Sequence, residues 1–226
     1  MKILALDTAT EACSVALGIG ERVIERYVEL ERGHAEHILP MVDAVLAEAG
    51  LALAQLDGLA FGRGPGGFTG VRLAASVAQG LAFGAGLGVV AISDLAAVAQ
   101  RVARLEPRAR RVLVVNDARM REVYWAGYEL EPDLRPVDEE RVSPPADVRL
   151  PGASAAPWAA AGRGLSAWPE LAERCRAAGA TLHPQLLPRA TEVLALARPC
   201  VVAGRLLDPA DALPVYVRDR VAEVPS

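Results

Sequence analysis

The chain is short of lysine, cysteine and aromatic side chains, and each shortage removes a class of function. Lys2 is the only lysine among 226 residues, so positive charge is carried by arginine, and those arginines are scattered. With a net charge of −4 there is no general attraction to nucleic acid or to an anionic membrane. Aromatic residues make up 4% of the chain, and no basic stretch is interleaved with them as a nucleic-acid surface would be. Cys13, Cys175 and Cys200 are far apart and odd in number, so neither a disulfide framework nor a zinc site follows. Hydrolase signatures are missing too: there is no G-x-S-x-G elbow, no H-E-x-x-H and no cysteine with a histidine partner. The N-terminus starts with a strand in place of a charged leader, and a cytoplasmic protein is expected.

One segment is short of charge altogether. Leu73 to Ile92 has no charged residue, long enough to raise a membrane span. Ser76, Gln79 and glycines at 80, 84, 86 and 88 argue instead for a helix, a turn and a strand outside lipid.

Hydrophobic residues form 52% of the sequence, ample for a core. Ile3–Leu6, Cys13–Ile19 and Arg22–Glu29 read as three strands joined by short turns. Gly33-His34 opens an amphipathic helix to about Ala49, with Gly50 as its C-cap. Gly58–Phe61 is a buried strand, and from about Thr69 an alanine-rich helix runs to Phe83. Val89–Ile92 is a strand, and Ser93 caps a further helix to about Leu105. The order β-β-β-α-β-α-β-α predicts an α/β fold of the actin-like ATPase or ribonuclease-H-like kind. A first lobe is expected over residues 1–106 and a smaller α/β lobe over 107–226, with no internal sequence repeat. Val112–Val115 and Glu122–Glu129 read as its first strands, and Glu131–Pro157 as mostly loop. Helices are expected over Leu171–Ala178 and Ala190–Ala197, and the tail Leu213–Arg218 is extended.

The loop between the central strand and the alanine-rich helix is the densest signal. Gly62 to Gly70 holds five glycines and a proline, ahead of a helix N-terminus. Such a loop can turn its N–H groups toward an anion. The spacing of a P-loop is nearly reproduced, but Phe68 stands where lysine would neutralise phosphates, and this excludes a P-loop NTPase. Asp7, Thr8 and Thr10, with Gly64, Gly66 and Gly67, remain candidates for contacting a nucleotide, alongside the reading of an ordinary polar turn. His34 and His37 stand at a helix start without a third ligand in reach, so no metal site is expected. Asp117 and Glu122 are read as solubilising charges around a hairpin turn. In the helix from Val71 to Phe83 the only polar side chains are Arg72, Ser76 and Gln79. So narrow a polar stripe implies burial on more than one side, one of them against a partner.

LALDTATEACSVAL, GHAEHILPMVDAVL, GRGPGGFTGVRLAASVAQGLA and NDARMREVYWAGY together resemble the TsaB family, formerly YeaZ. The likeness is strongest over about residues 1–130, and the closing PVYVRD is similar to the family's tail. The resemblance implies an actin-like paralogue of TsaD, the subunit that threonylcarbamoylates the adenosine beside the anticodon of tRNAs. TsaD holds its metal through a histidine pair. In this chain Asp94 and Val98 fall at those positions, and valine has no donor atom, so the resemblance implies a non-catalytic scaffold subunit. It implies TsaD as heterodimer partner, the ATPase TsaE as a further partner, TsaC as supplier of the adenylate, and a homodimer when alone. Contact with tRNA would be indirect, with no membrane, no required cofactor and at most a weakly held ATP or ADP. The partner surface implied comprises His34, Ile38, Met41, Val42 and Val45 from the first helix. The second helix adds Val71, Ala74, Ala75, Ala78, Leu81 and Ala82. On that reading Ala75→Glu or Ala78→Glu abolishes pairing and leaves the monomer folded. The alternative is a small-molecule kinase or ATPase using Asp7 and the glycine loop, with turnover lost in Asp7→Ala. A glycoprotease-like peptidase ranks below both.

Overall fold

In the computed structural model, which describes residues 1–151 and 156–218, the alternating N-terminal segments form a meander. Strands β1 (Lys2–Asp7), β2 (Ala12–Ile19) and β3 (Arg22–Glu29) pair antiparallel, with Asp7 opposite Ser14. Helix α1 (His34–Ala49) ends on Gly50 in the left-handed conformation that a C-cap glycine adopts readily. Strands β4 (Gly58–Gly62) and β5 (Val89–Ile92) join β1 in parallel, giving the order β3-β2-β1-β4-β5. Helix α2 (Phe68–Ala85) makes the crossover between them. Helix α3 (Asp94–Leu105) follows β5, and the Ser93 hydroxyl accepts the Ala96 N–H at 3.1 Å as its N-cap.

A second sheet starts with the hairpin of β6 (Arg111–Asp117) and β7 (Val123–Glu129). Short strands β8 (Arg135–Pro136) and β9 (Arg141–Ser143) lie along β7, inside the stretch expected to be loop. Strand β10 (Trp158–Ala161) pairs parallel with β6, and helices α4 (Gly164–Ala167) and α5 (Pro169–Ala177) lead to β11 (Ala180–His183). Helix α6 (Ala190–Val202) follows and continues past Pro199, beyond the end expected for it. The order β11-β10-β6-β7-β8 repeats the first sheet's plan: a central strand with an antiparallel neighbour on one side and parallel neighbours on the other. This is the two-lobed actin-like, ribonuclease-H-like architecture. The reduction of the second lobe falls on its third strand, broken into β8 and β9, and on its helices.

Period-two alternation decides the layers. Leu4 and Leu6 of β1 pack with α1 and α2 on one face, while Ile3 and Ala5 pack with α6 on the other. In the second sheet, Val112 and Val114 face α3, and Leu113 and Val115 face α4 and α5. The helices α3 and α6 thus sit between the sheets. Each sheet takes one helix from the other half of the chain, which couples the lobes.

Candidate functional site

Because β1 and β4 are adjacent and parallel, the Asp7–Thr10 turn and the glycine loop emerge side by side. They close directly on one another. The Gly67 N–H donates to the Ala9 carbonyl at 2.7 Å, and the Thr8 hydroxyl donates to the Gly70 carbonyl at 2.7 Å. A Cβ at Gly66 would stand 2.4 Å from the Ala9 oxygen, and one at Gly70 would stand 2.0 Å from the Thr8 oxygen. Glycine is required here by backbone approach. Gly64, in the left-handed region with φ 102°, donates its N–H to the Asp94 carboxylate. Two amides expected to face an anion are therefore already engaged within the chain.

Asp7 lies beneath this junction, fully buried, with Oδ1 accepting the Ala9 N–H at 2.8 Å. Burial pushes its carboxyl up, only partly offset by Asp94, the Ala9 amide and His34. Thr8 is buried, and the Thr10 hydroxyl accepts the Ala12 N–H at 3.2 Å. A cleft of about 700 Å³ opens above them, lined by Thr8, Thr10, Gly66 and Gly67 on one side and by Asn116, Arg119 and Tyr124 on the other. Asp7 and Gly64 are not among its lining residues. Of the six candidates for a nucleotide, four thus face the cleft, and Asp7 and Gly64 are turned to internal bonding.

Three arginines lining the cleft are held in ion pairs. Arg119 reaches Glu11 at 3.4 Å and Asp117 at 3.1 Å, Arg163 bridges Glu11 and Glu29, and Arg218 meets Glu122. Asn116 is buried with neither amide atom hydrogen-bonded. Across the mouth runs the extended tail, whose motif residue Asp219 lies outside the described residues. Val215 donates to the Arg63 carbonyl at 2.8 Å. Tyr216 sits 6.1 Å from the Phe68 ring, and the Arg72 guanidinium lies 3.6 Å over Phe68 while donating to the Tyr216 hydroxyl at 2.6 Å. Sequence reasoning missed Asn116, Arg163, Tyr216 and Arg218 as cleft residues. Their one signal was the position of Asn116 at a strand's C-terminal end.

The partner residues inferred from the sequence need correction. Ile38, Val42, Val45, Ala74, Ala75, Ala78 and Ala82 are buried in the chain's own core against the first sheet, and Val71 is buried beside Gly64 of the glycine loop. The helices are apolar there because they cover β1, β2 and β4. Ala75→Glu or Ala78→Glu would therefore place a charge inside the monomer. Met41 and Leu81 are half-buried, and His34 is half-buried with Nε2 2.9 Å from the Thr10 carbonyl. The outward face is different: Leu39 on α1, and Ser76, Gly80, Phe83 and Gly84 on α2. Phe83 is 84% exposed, and open space surrounds Gly80 and Gly84.

Among the described residues no three His, Cys, Asp or Glu side chains group to hold a metal, and His37 is exposed. Val98 is core, and Asp94 is turned into the glycine loop. No helix among them is long and apolar enough to cross a membrane; α2 ends on left-handed Gly86, well short of Ile92.

Comparison with known proteins matches residues 28–173 to the family model described as "TsaD: tRNA N6-adenosine threonylcarbamoyltransferase". The chain is 41% identical over 228 residues to the tRNA threonylcarbamoyladenosine biosynthesis protein TsaB of Escherichia coli K12, covering 98% of this chain and 96% of that protein. It is 53% identical over 126 residues to the Haemophilus influenzae TsaB, covering 56% of this chain and 53% of that one. Among solved structures, YeaZ from Pseudomonas aeruginosa superposes with a TM-score of 0.84 at 45% identity, over 95% of this chain and 99% of that chain. A second Pseudomonas aeruginosa structure, described as an uncharacterized protein with similarity to peptidase YEAZ, gives 0.87 at 46% identity, over 96% and 99%.

Proposed function

The chain belongs to the TsaB family, and on that footing we propose that it serves tRNA threonylcarbamoyladenosine biosynthesis as a scaffold subunit without an active site of its own. It pairs with TsaD through the outer face of α1 and α2, pairs with itself when TsaD is absent, and works with TsaE in the assembled complex. Contact with tRNA runs through the partners. No cofactor is required, and ATP or ADP binds at most weakly.

The observation that carries this reading is the outer surface of the two helices. Their inner faces are spent on the first sheet, yet the outer face of α2 still presents Phe83 almost bare beside Gly80 and Gly84. An aromatic ring seated in a protein contact supplies large apolar area at low entropic cost, which is why aromatic side chains are enriched in the cores of interfaces. Small residues next to it let another helix approach closely. The engaged loop amides and buried Asp7 weigh against the kinase or ATPase reading.

The test is a reconstituted modification reaction containing TsaC, TsaD, TsaE, ATP, threonine, bicarbonate and tRNA, run with and without this protein. Product only in its presence, with neither ATP turnover nor modification by the protein alone, is the expected result. Equal product without it would refute the role. Gly80→Glu and Phe83→Glu locate the surface: a charge buried unpaired in an apolar contact costs about 3–5 kcal/mol. Both variants should fold as the parent does and lose pairing with TsaD by light scattering. Undiminished pairing would refute this surface.

A further inference from the structure

The glycine loop rests on two carboxyl groups that the proposed function does not use. Asp7, at the end of β1, and Asp94, at the start of α3, are both fully buried. One oxygen of each is held: Asp7 Oδ1 by the Ala9 N–H and Asp94 Oδ2 by the Gly64 N–H. The other two, Asp7 Oδ2 and Asp94 Oδ1, have no other group as partner and converge over Gly62. A Cβ built on Gly62 would stand 2.8 Å from the first and 2.5 Å from the second. Two ionised carboxylates cannot both be kept so close and away from water, because each destabilises the charge on the other. One proton between them removes the conflict and gives both free oxygens a partner.

We propose that Asp7 and Asp94 share a single proton in an acid–carboxylate hydrogen bond, and that this bond clasps the glycine loop and the start of α3 to the end of β1. Gly62 lacks a side chain because any Cβ would enter the pair. The loop is gripped at Gly64 through Asp94 and at Gly67 through Ala9, so the clasp sets where α2 begins. The proton belongs to the pair and not to either residue alone.

The surroundings are consistent with one retained charge. His34 from α1 and the Cys13 thiol of β2 face Asp7, and Arg63 of the loop and Tyr128 of β7 face Asp94. Burial, followed by the charge of Asp7, raises Asp94 well above the usual carboxyl range. Burial also pushes Cys13 up to about 11 and raises Tyr128, which keeps both uncharged near neutrality. Arg63 is itself ion-paired with Glu140 at 3.2 Å, and Glu140 accepts from Ser93 beside Asp94.

The sign of the pH dependence follows. The folded state keeps a proton that the unfolded chain releases at the ordinary aspartate value. Stability from the pair is therefore complete below that value, falls as pH rises toward the folded one, and levels off above it. The unfolding constant should rise tenfold per pH unit across that window, one proton's worth.

Infrared spectra of the full chain, with and without carbon-13 aspartate, test the proposal directly. At neutral pH the folded protein should show a protonated carboxyl band that shifts with the label and is absent in Asp94→Asn. That amide can still donate to Asp7 and accept from Gly64, so the variant should fold and lose the tenfold slope relative to the parent. Should it fail to fold, Asp7→Asn serves in its place, and the band in the unaltered protein decides alone. No such band, or equal slopes in parent and folded variant, would overturn the shared proton. A band abolished by magnesium would assign the position to a cation and overturn it as well.

Discussion

Gly70 and Gly80 stand ten residues apart in α2, and replacing each with alanine should move stability in opposite directions. Helix propensity alone favours alanine at both by up to about 1 kcal/mol. At Gly80 a Cβ meets nothing within 4 Å, so the propensity gain of about 0.5–1 kcal/mol should appear in full. At Gly70 the same atom would lie 2.0 Å from the Thr8 carbonyl oxygen. The Cβ position is fixed by the helix backbone and the oxygen is itself backbone, so no rotamer can relieve the clash, and the first turn of α2 must move off the Thr8–Thr10 turn. The movement strains or breaks the Thr8–Gly70 and Gly67–Ala9 hydrogen bonds, about 1 kcal/mol each. Overpacking adds about 1–3 kcal/mol. After subtracting the propensity gain, Gly70→Ala should destabilise by about 2–4 kcal/mol. Urea denaturation at low protein concentration, where self-pairing does not contribute, separates the two variants by midpoint. Thermal midpoints should move about 2–4 °C per kcal/mol for a chain of this size. A Gly70→Ala protein as stable as Gly80→Ala would refute the claim that the glycines serve backbone contact.

Cysteine reactivity should follow burial: Cys13 and Cys175 are buried with thiols pushed up to about 11, whereas Cys200 is partly exposed. Iodoacetamide at mildly alkaline pH should label Cys200 first, and mass spectrometry showing equal labelling at Cys13 in the folded protein would contradict this. Arg218 holds the Ala118 carbonyl at 3.2 Å and pairs with Glu122 across a turn in which Arg119, Met120 and Arg121 are all left-handed. Arg218→Ala should cost about 1–2 kcal/mol and speed hydrogen exchange at the Ala118 and Glu122 amides. Unchanged exchange there would show that the tail does not support the turn. Glu29 accepts from the Tyr27 hydroxyl at 2.7 Å and is lowered below the usual carboxylate range by that bond first, and then by Arg163. Its contribution is present above the ordinary glutamate value and lost as pH falls through the folded one. Glu29→Gln should therefore flatten the acid side of the stability profile, and an unaltered acid limb would argue against the contribution.

The first half of the fold was legible because its signals are local. Alternation in Cys13–Ile19, Ser93 as a cap and Gly50 as a stop each act within a turn or two, and the strands and helices formed where these signals placed them. The repeat of the sheet plan was not legible. It is carried by pairing between distant strands, and in the second sheet the third strand is only the short pieces β8 and β9. The partner face was misread for a related reason. Apolarity at Ala74, Ala75 and Ala78 reports burial without saying against what.

By itself, the sequence determined the β-β-β-α-β-α-β-α order, the glycine loop ahead of a helix N-terminus, and the family likeness in four long motifs. Those properties depend on residue type and short-range spacing, which a linear text preserves. Tertiary structure alone decided what the loop glycines touch, which face of α2 is left outward, and that Asp7 meets Asp94. Each of those depends on two segments folding to one place: Thr8 against Gly70, α2 against the first sheet, and β1 beside the start of α3. Spacing along the chain sets no such distance, so the buried carboxyl pair beneath the loop became visible only in three dimensions.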